Sequence, residues 1–284
     1  SQPMRRGGCG GSGGEGMNVQ HRPHGAVIAA LGVLLAVTGW LAGSAAGFVS
    51  APLMWGLCAV WLAALGVPYL AGRRCAAQPA ALADQCKPLG AAMAACAVLL
   101  LANGVMNLPA ALAVVRYGYA FGATKPAFAL VLDAATPIFS ALWLTVYAVR
   151  ACTGYGVARG KPGSAAVGLV MPLYFLWRLF WQFQVDPAAL PRVQYTLTVL
   201  GSVAALLFAA ALLKVFLTPG QSCGHTLFGA GVGCFLLCSC AGTVQTLRQL
   251  SALTAAEVYG NLALSALGVC GLVCAVAACG KETE

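Results

Sequence analysis

Two charged side chains lie inside apolar stretches of this sequence, and they are the residues best placed to do chemistry. Arg178 lies within the run MPLYFLWRLFWQFQVDP, and Asp133 lies in the preceding apolar run, near its start. A charge inside a membrane helix costs about 2.5–3.5 kcal/mol and normally faces other helices, where it finds a partner. Antiparallel neighbouring helices would bring these two charges within about two helical turns in depth, so we predict an Asp133–Arg178 ion pair.

Other polar residues are predicted to lie at a similar depth to Arg178. Such groups either form a pocket for a small anionic or polar solute or only hold helices together, as interhelical hydrogen bonds and interfacial aromatic residues do. Glu257 and Gln245 lie at helix ends, where polar residues are ordinary. The candidates for a ligand site or ion pair are Arg178, Asp133, Asn103, Asn107, Gln182, Trp181, Tyr174 and Asn261.

Three prolines are predicted to kink the helices that carry these residues: Pro109, Pro137 and Pro172. A proline inside a helix cannot donate to the carbonyl four residues back. For Pro137 that carbonyl belongs to Asp133, and the hydroxyl groups of Thr136 and Ser140 are available to satisfy it.

Motifs for catalysis are missing. The sequence contains no HExxH, no GxSxG and no pair of carboxylates within one apolar run. The 13 cysteines include no CxxC spacing, so we interpret them as small apolar residues and expect no metal and no cofactor. An enzyme is therefore the least favoured of three classes, behind a solute-binding protein or transporter and a structural or regulatory subunit.

Composition identifies the setting in which these residues act. Of the 284 residues, 60% are hydrophobic and 8% are charged, whereas soluble domains carry about 25% charged residues. The mean hydropathy is +0.84. The net charge of +9 does not indicate nucleic-acid binding, because the basic residues lie beside apolar runs rather than on a soluble face. We predict an all-α, polytopic membrane bundle.

A membrane span needs about 20 apolar residues, and this rule predicts eight spans joined by short loops. Their approximate limits are 25–48, 51–70, 89–114, 128–149, 165–185, 193–216, 226–247 and 256–279. Residues 25–279 then form one transmembrane domain, preceded by a glycine-rich, basic and disordered tail (1–24) and followed by a short cytoplasmic tail (280–284). Two alternatives stay open: a start at Met17, and removal of the first span as a signal peptide.

Lysine and arginine predict the orientation of these spans. One side of the predicted topology carries Arg5, Arg6, Arg22, Arg73, Arg74, Lys87, Arg150, Arg159, Lys161, Lys214 and Lys281. The other side carries Arg116, Lys125, Arg192 and Arg248. This asymmetry predicts that both termini are cytoplasmic (N-in, C-in) and that the polar candidates face outward. The basic inner loops should also attract anionic lipid headgroups.

Glycines at four-residue spacing allow helices to approach closely. Gly39, Gly43 and Gly47 have this spacing in the first predicted span, and Gly229 and Gly233 have it in the seventh. In so alanine-rich a chain, we predict that they pack within the chain.

The segment 172–216 resembles an uncharacterised family of multi-pass membrane proteins from Gram-positive, clostridia-like bacteria. The resembling residues are Pro172, Trp177, Arg178, Phe183, Asp186, Pro187, Tyr195, Lys214, Val215 and Phe216. That family has no assigned activity, so the resemblance implies a multi-pass protein of the bacterial cytoplasmic membrane and no mechanism.

Overall fold

A computed structural model describes residues 23–44, 51–72, 85–118, 125–154, 168–185, 193–217 and 224–278. Within these ranges the fold is all-helical, and no strand occurs. Eight helices are present: α1 (Pro23–Ser44), α2 (Ala51–Gly72), α3 (Lys87–Tyr117), α4 (Ala127–Thr153), α5 (Val170–Val185), α6 (Val193–Leu217), α7 (Gly224–Arg248) and α8 (Ala255–Ala278). Residues 1–22 of the predicted tail (1–24) and the predicted tail 280–284 lie outside the described residues, whereas residues 23–24 begin α1 and are not disordered.

The ends of several helices follow from local sequence. Pro88 occupies the first turn of α3, where its missing N–H costs no hydrogen bond. Gly118 ends that helix with a left-handed φ of 77°, and its N–H donates to the carbonyl of Val114. At the start of α8, Thr254 and Glu257 form a capping box, in which each side chain accepts the backbone N–H of the other residue.

Five helices are long and apolar enough to cross a membrane: α3, α4, α6, α7 and α8. Apolar side chains such as Val98, Val115, Leu142 and Leu207 are largely exposed on their outer faces. So large an apolar surface would be unfavourable in contact with water, whereas lipid chains can cover it. The chain is therefore a membrane-embedded protein with at least these five candidate spans.

The other three helices differ from those five. α5 has 16 residues, so it is about 24 Å long, which is shorter than the roughly 30 Å of a hydrocarbon core. α1 and α2 have 22 residues each, and the stretches counted as apolar in them are Ala26–Trp40 and Ala59–Leu70. The predicted count of eight spans and the N-in, C-in orientation therefore stay predictions.

Helices α3 to α8 surround a common interior. Each one packs against the next in sequence, and α8 packs extensively against α3, which closes the ring. α1 and α2 lie outside this ring against α7. The buried core is mostly aliphatic and aromatic, with Met93, Leu100, Phe175, Phe208 and Leu267 among its members.

Glycine contacts set the closest helix approach. A Cβ atom at Gly231 of α7 would lie 2.5 Å from the carbonyl oxygen of Gly271 in α8, so the two backbones touch. The predicted packing role holds at Gly229, where a Cβ would lie 3.1 Å from the ring of Tyr69 in α2. It is wrong at Gly39, where nothing lies within 4 Å. Gly47 lies outside the described residues, as do the surroundings of Gly43.

Cysteines occupy the interior as small apolar residues. Cys96, Cys234, Cys238, Cys270 and Cys274 are buried, and all eight cysteines for which a state is described are free thiols. The Sγ atom of Cys96 donates to the carbonyl of Ala263, and that of Cys238 donates to the carbonyl of Gly201. These bonds join neighbouring helices.

Candidate functional site

Arg178 projects from α5 across the interior of the ring and reaches α8. Its Nη2 donates to Oδ1 of Asn261, and its Nη1 donates to the hydroxyl oxygen of Tyr174 at 3.2 Å. Its Nε is buried and has no hydrogen-bond partner among the described residues. One salt bridge is found among those residues, and it joins Lys125 to Asp133. No carboxylate of the described residues therefore lies within 4 Å of the Arg178 guanidinium. The charge is thus held by neutral groups.

Gly260 makes room for this arrangement. A Cβ atom there would lie 2.7 Å from the Tyr174 hydroxyl, 2.8 Å from Nη1 of Arg178 and 3.0 Å from Nδ2 of Asn103. Asn103 is 5% exposed and donates to the carbonyl of Ala256 at 2.6 Å, so it fixes the start of α8 against α3. The five residues Asn103, Tyr174, Arg178, Gly260 and Asn261 are called the Arg178 cluster below.

A cavity of about 360 Å³ adjoins the Arg178 cluster. It lies where α5 and α7 end and where α6 and α8 begin, so four helices supply its walls. Such a volume falls near the lower end of the roughly 300–1,000 Å³ typical of small-molecule pockets. Its polar lining consists of Arg178, Gln182, Thr198, Gln245, Thr246, Gln249, Glu257 and Asn261.

Hydrogen bonds between helices hold this polar lining. The Oε1 of Gln182 accepts from the hydroxyl of Ser202 at 2.9 Å, which joins α5 to α6. The Nε2 of Gln245 donates to the hydroxyl of Thr198 at 3.0 Å, which joins α7 to α6. The walls of the cavity are therefore cross-linked, and their amide and hydroxyl groups are positioned before any solute enters.

One wall of the cavity is a π-helical segment of α7, Phe235–Ala241. Three of its residues line the cavity: Leu237, Cys238 and Ala241. The N–H of Gly242 donates to the carbonyl of Leu237, five residues back, which widens the helix at this point. π-helical turns are rare and frequently occur at functional sites.

Asp133 belongs to a second polar cluster, between α4 and α5. Its Oδ2 pairs with Nζ of Lys125 at 2.5 Å, and its Oδ1 accepts from Nε1 of Trp177 at 2.7 Å. Trp181 stacks on Trp177, and the ammonium of Lys125 lies 5.1 Å from the centre of the Trp181 ring. The four residues Lys125, Asp133, Trp177 and Trp181 are called the Asp133 cluster below.

The predicted Asp133–Arg178 ion pair is therefore wrong. Successive residues in a helix point about 100° apart, because one turn contains 3.6 residues. Trp177 faces Asp133 on α4, so Arg178 is turned away from α4 and toward α8. The positions of Asp133 and Arg178 along their helices would allow the pair. The direction in which Arg178 leaves α5 does not. Lys125, in the segment just before α4, supplies the counter-charge instead.

The prolines have different consequences from those predicted. Pro137 lies inside α4, and the carbonyl of Asp133 that it frees accepts from Nδ2 of Asn107 at 3.4 Å. The hydroxyls of Thr136 and Ser140 bond elsewhere, to the carbonyls of Leu132 and Val170. Pro109 lies inside α3, as expected. Pro172 lies in the first turn of α5, just after a turn at Leu169, and the kink predicted there stays a prediction.

A double-mutant cycle tests the two alternative partners of Asp133. We expect Asp133→Ala to lower the free energy of unfolding by about 2 kcal/mol, because it leaves a Trp177 donor without its acceptor and removes an ion pair. Asp133→Ala and Lys125→Ala should be coupled by about 0.5–1 kcal/mol, since the pair is partly exposed. Asp133→Ala and Arg178→Ala should be additive. Unfolding in mixed micelles measures both cycles. If Asp133→Ala were coupled to Arg178→Ala and not to Lys125→Ala, the Asp133–Arg178 pair would be supported instead.

The eight predicted site residues thus divide into three groups. Arg178, Gln182 and Asn261 line the cavity, while Tyr174 accepts a hydrogen bond from Arg178 and Asn103 lies beside Gly260. Asp133 and Trp181 belong to the Asp133 cluster, and Asn107 bonds to the backbone next to it. The structure adds Gln245, Gln249, Thr198 and Glu257 to the cavity. Glu257 and Gln245 lie at predicted helix ends, where polar residues are ordinary, and Gln249 and Thr198 were not among the candidates.

Metal ligation receives no support from the part of the chain that the structure describes. It contains no group of three or more His, Cys, Asp or Glu side chains that could hold a metal ion.

Comparison of the chain with protein-family models, with curated proteins and with solved structures gives no match. The resemblance of residues 172–216 to a bacterial membrane-protein family therefore stays a prediction.

Proposed function

We propose that this protein binds a small anionic or polar solute in the cavity beside Arg178, as a transporter or solute-binding membrane protein. The observation that carries the proposal is a guanidinium that lines a cavity of about 360 Å³ and has no carboxylate partner among the described residues. A charge inside a membrane domain normally has a counter-charge, and a bound anion or carboxylate would supply it.

The π-helical wall supports the same proposal. A segment built only for helix packing would gain nothing from a widened turn, whereas a widened turn at a cavity exposes backbone and small side chains to a solute. Hydrogen-bonded amides around the cavity also suit a polar ligand, because they are oriented in advance and need little rearrangement.

The number of spans and their orientation in the membrane are part of this proposal. With eight spans and both termini in the cytoplasm, the end of the bundle that holds the cavity faces outward, and the protein lies in the cell membrane. Labelling of single-cysteine variants in loops 73–84 and 155–167 with a membrane-impermeant thiol reagent tests the orientation, because both loops should be protected from outside.

Ligand-induced thermal stabilisation tests the binding function. The purified chain is heated with a panel of small solutes: acetate, succinate, phosphate, glycine and L-leucine. We expect at least one of them to raise the melting temperature of the wild type and to have no effect on Arg178→Gln. Glutamine can still hydrogen-bond to Tyr174 and Asn261, so folding should be retained.

Arg116→Gln is the matched control, because it removes the same charge from an exposed position at the end of α3, away from the cavity. It should respond to the solute as the wild type does. Retained stabilisation in Arg178→Gln, or no response of the wild type to any solute, would contradict the proposal. A structural subunit is the alternative that such a result would favour.

A further inference from the structure

The cavity has a second charged wall residue, and its sign is opposite to that of Arg178. Glu257 lines the cavity on α8, one helical turn before Asn261, which accepts from Arg178. Residues four apart on a helix lie about 5–6 Å from each other at Cβ, so Glu257 and Asn261 share one face of α8, and both line the cavity with Arg178. A positive and a negative group therefore face one solute-sized space.

The carboxylate of Glu257 is oriented by its capping box. The backbone N–H and the hydroxyl of Thr254 both donate to Oε2, each at 2.8 Å. Among the described residues no hydrogen bond reaches Oε1. One carboxylate oxygen is thus fixed by the protein, and the other is available to a donor in the cavity.

We propose that the solute is a small zwitterion of the α-amino acid class, with its carboxylate on Arg178 and its primary ammonium on Glu257. This inference rests on the proposed solute-binding function. A lone anion would satisfy Arg178 but would be repelled by the carboxylate of Glu257, which lines the same cavity. A net-neutral pair of wall charges is matched best by a net-neutral ligand with both charges.

The rest of the lining narrows the amino acid further. Leu197, Leu237, Leu253 and Leu264 supply apolar walls, so an aliphatic side chain would lose water on binding. No aromatic residue is among the described residues that line the cavity. Quaternary ammonium ligands are typically held by aromatic cages, so a primary ammonium that donates hydrogen bonds fits this lining better.

Three probes that differ by single groups test the inference. L-Leucine carries both charges, 4-methylpentanoate lacks its ammonium group, and 3-methylbutylamine lacks its carboxylate. Binding to the full-length protein in detergent is measured by calorimetry. We expect L-leucine to bind at least tenfold more tightly than either of the other two.

Glu257→Gln removes the negative charge and keeps the capping box, because glutamine also serves at that position. This variant should bind L-leucine at least tenfold more weakly and should bind 4-methylpentanoate as well as or better than the wild type. Ser251→Ala, an exposed change in the turn before α8, is the control and should bind all three as the wild type does.

The outcomes separate the two proposals. If L-leucine and 4-methylpentanoate bind equally and Glu257→Gln changes neither, the zwitterion inference is wrong while an anion site at Arg178 stands. If no probe binds, the inference is also wrong, and the broader solute panel with Arg178→Gln decides the proposed function independently. If Arg178→Gln binds L-leucine as tightly as the wild type, both proposals fail.

Discussion

Gly231→Ala is expected to lower the free energy of unfolding by about 2–3 kcal/mol, the upper part of the range for overpacked cores. The new methyl group would lie 2.5 Å from the carbonyl oxygen of Gly271, which belongs to the backbone of α8 and cannot rotate away. Relief therefore requires that α7 and α8 move apart as whole helices. Thermal unfolding in detergent and the monodispersity of the purified protein measure the effect.

The reciprocal change supplies a check on the cause. Gly271→Ala adds its methyl group to the same contact, where it would meet the backbone of Gly231. Each single change should be strongly destabilising, and the double change should cost less than the sum, because both force the same helices apart.

Gly39→Ala in α1 is the matched control. It makes the same chemical change in an apolar helix, but nothing lies within 4 Å of the new Cβ. Alanine has the higher helix propensity by about 1 kcal/mol, so this variant should be unchanged or slightly more stable. If Gly231→Ala and Gly39→Ala have the same melting temperature, the close crossing of α7 and α8 is not present in the protein.

Gly260→Ala is expected to weaken solute binding at least tenfold, or about 1.4 kcal/mol, with a much smaller effect on folding. Its methyl group would meet the ends of three side chains of the Arg178 cluster rather than a backbone. Asn103 of α3 is buried and bonded to the carbonyl of Ala256 in α8, so the guanidinium of Arg178 is the group most able to move. That movement breaks its bond to Asn261 and displaces the charge from the cavity wall.

Binding and stability must be measured on the same sample to interpret this variant. The solute that stabilises the wild type is titrated against Gly260→Ala, and the melting temperature is recorded without solute. Gly66→Ala in α2, where nothing lies within 4 Å of the new Cβ, is the control and should retain affinity. Full affinity in Gly260→Ala would show that the position of Arg178 in this cluster does not matter for binding.

The elements of this protein were predictable because their signals are local. A run of apolar residues is helical in lipid, since only a helix satisfies its backbone groups within the segment. All eight helices overlap predicted spans, and most limits that fall within the described residues agree within a few residues. The position of Arg178 along its helix, near the same end as Asn261 in α8, was also predictable, because position follows from a rise of 1.5 Å per residue.

The site was only partly predictable, because it depends on non-local geometry. Arg178, Gln182 and Asn261 were selected as polar residues in apolar runs, and the structure brings them to one cavity. Glu257 was not selected, because it lies at a helix end, where a polar residue is ordinary. Lys125 was predicted to lie in a loop, where it contributed only to the charge asymmetry. In the structure it lies just before α4 and pairs with Asp133. The π-helical turn has no sequence signal of the kind that proline or glycine gives for other helix irregularities.

Sequence by itself thus determined that this chain is an all-helical membrane protein with a charge inside one apolar helix. Tertiary structure decided which groups hold that charge. Two facing helices can place charges at the same depth, yet the direction of each side chain depends on how the helices are rotated and packed. Here the bulky Trp177 occupies the side of α5 toward Asp133, so Arg178 turns inward to Asn261 and to a cavity whose walls come from four helices.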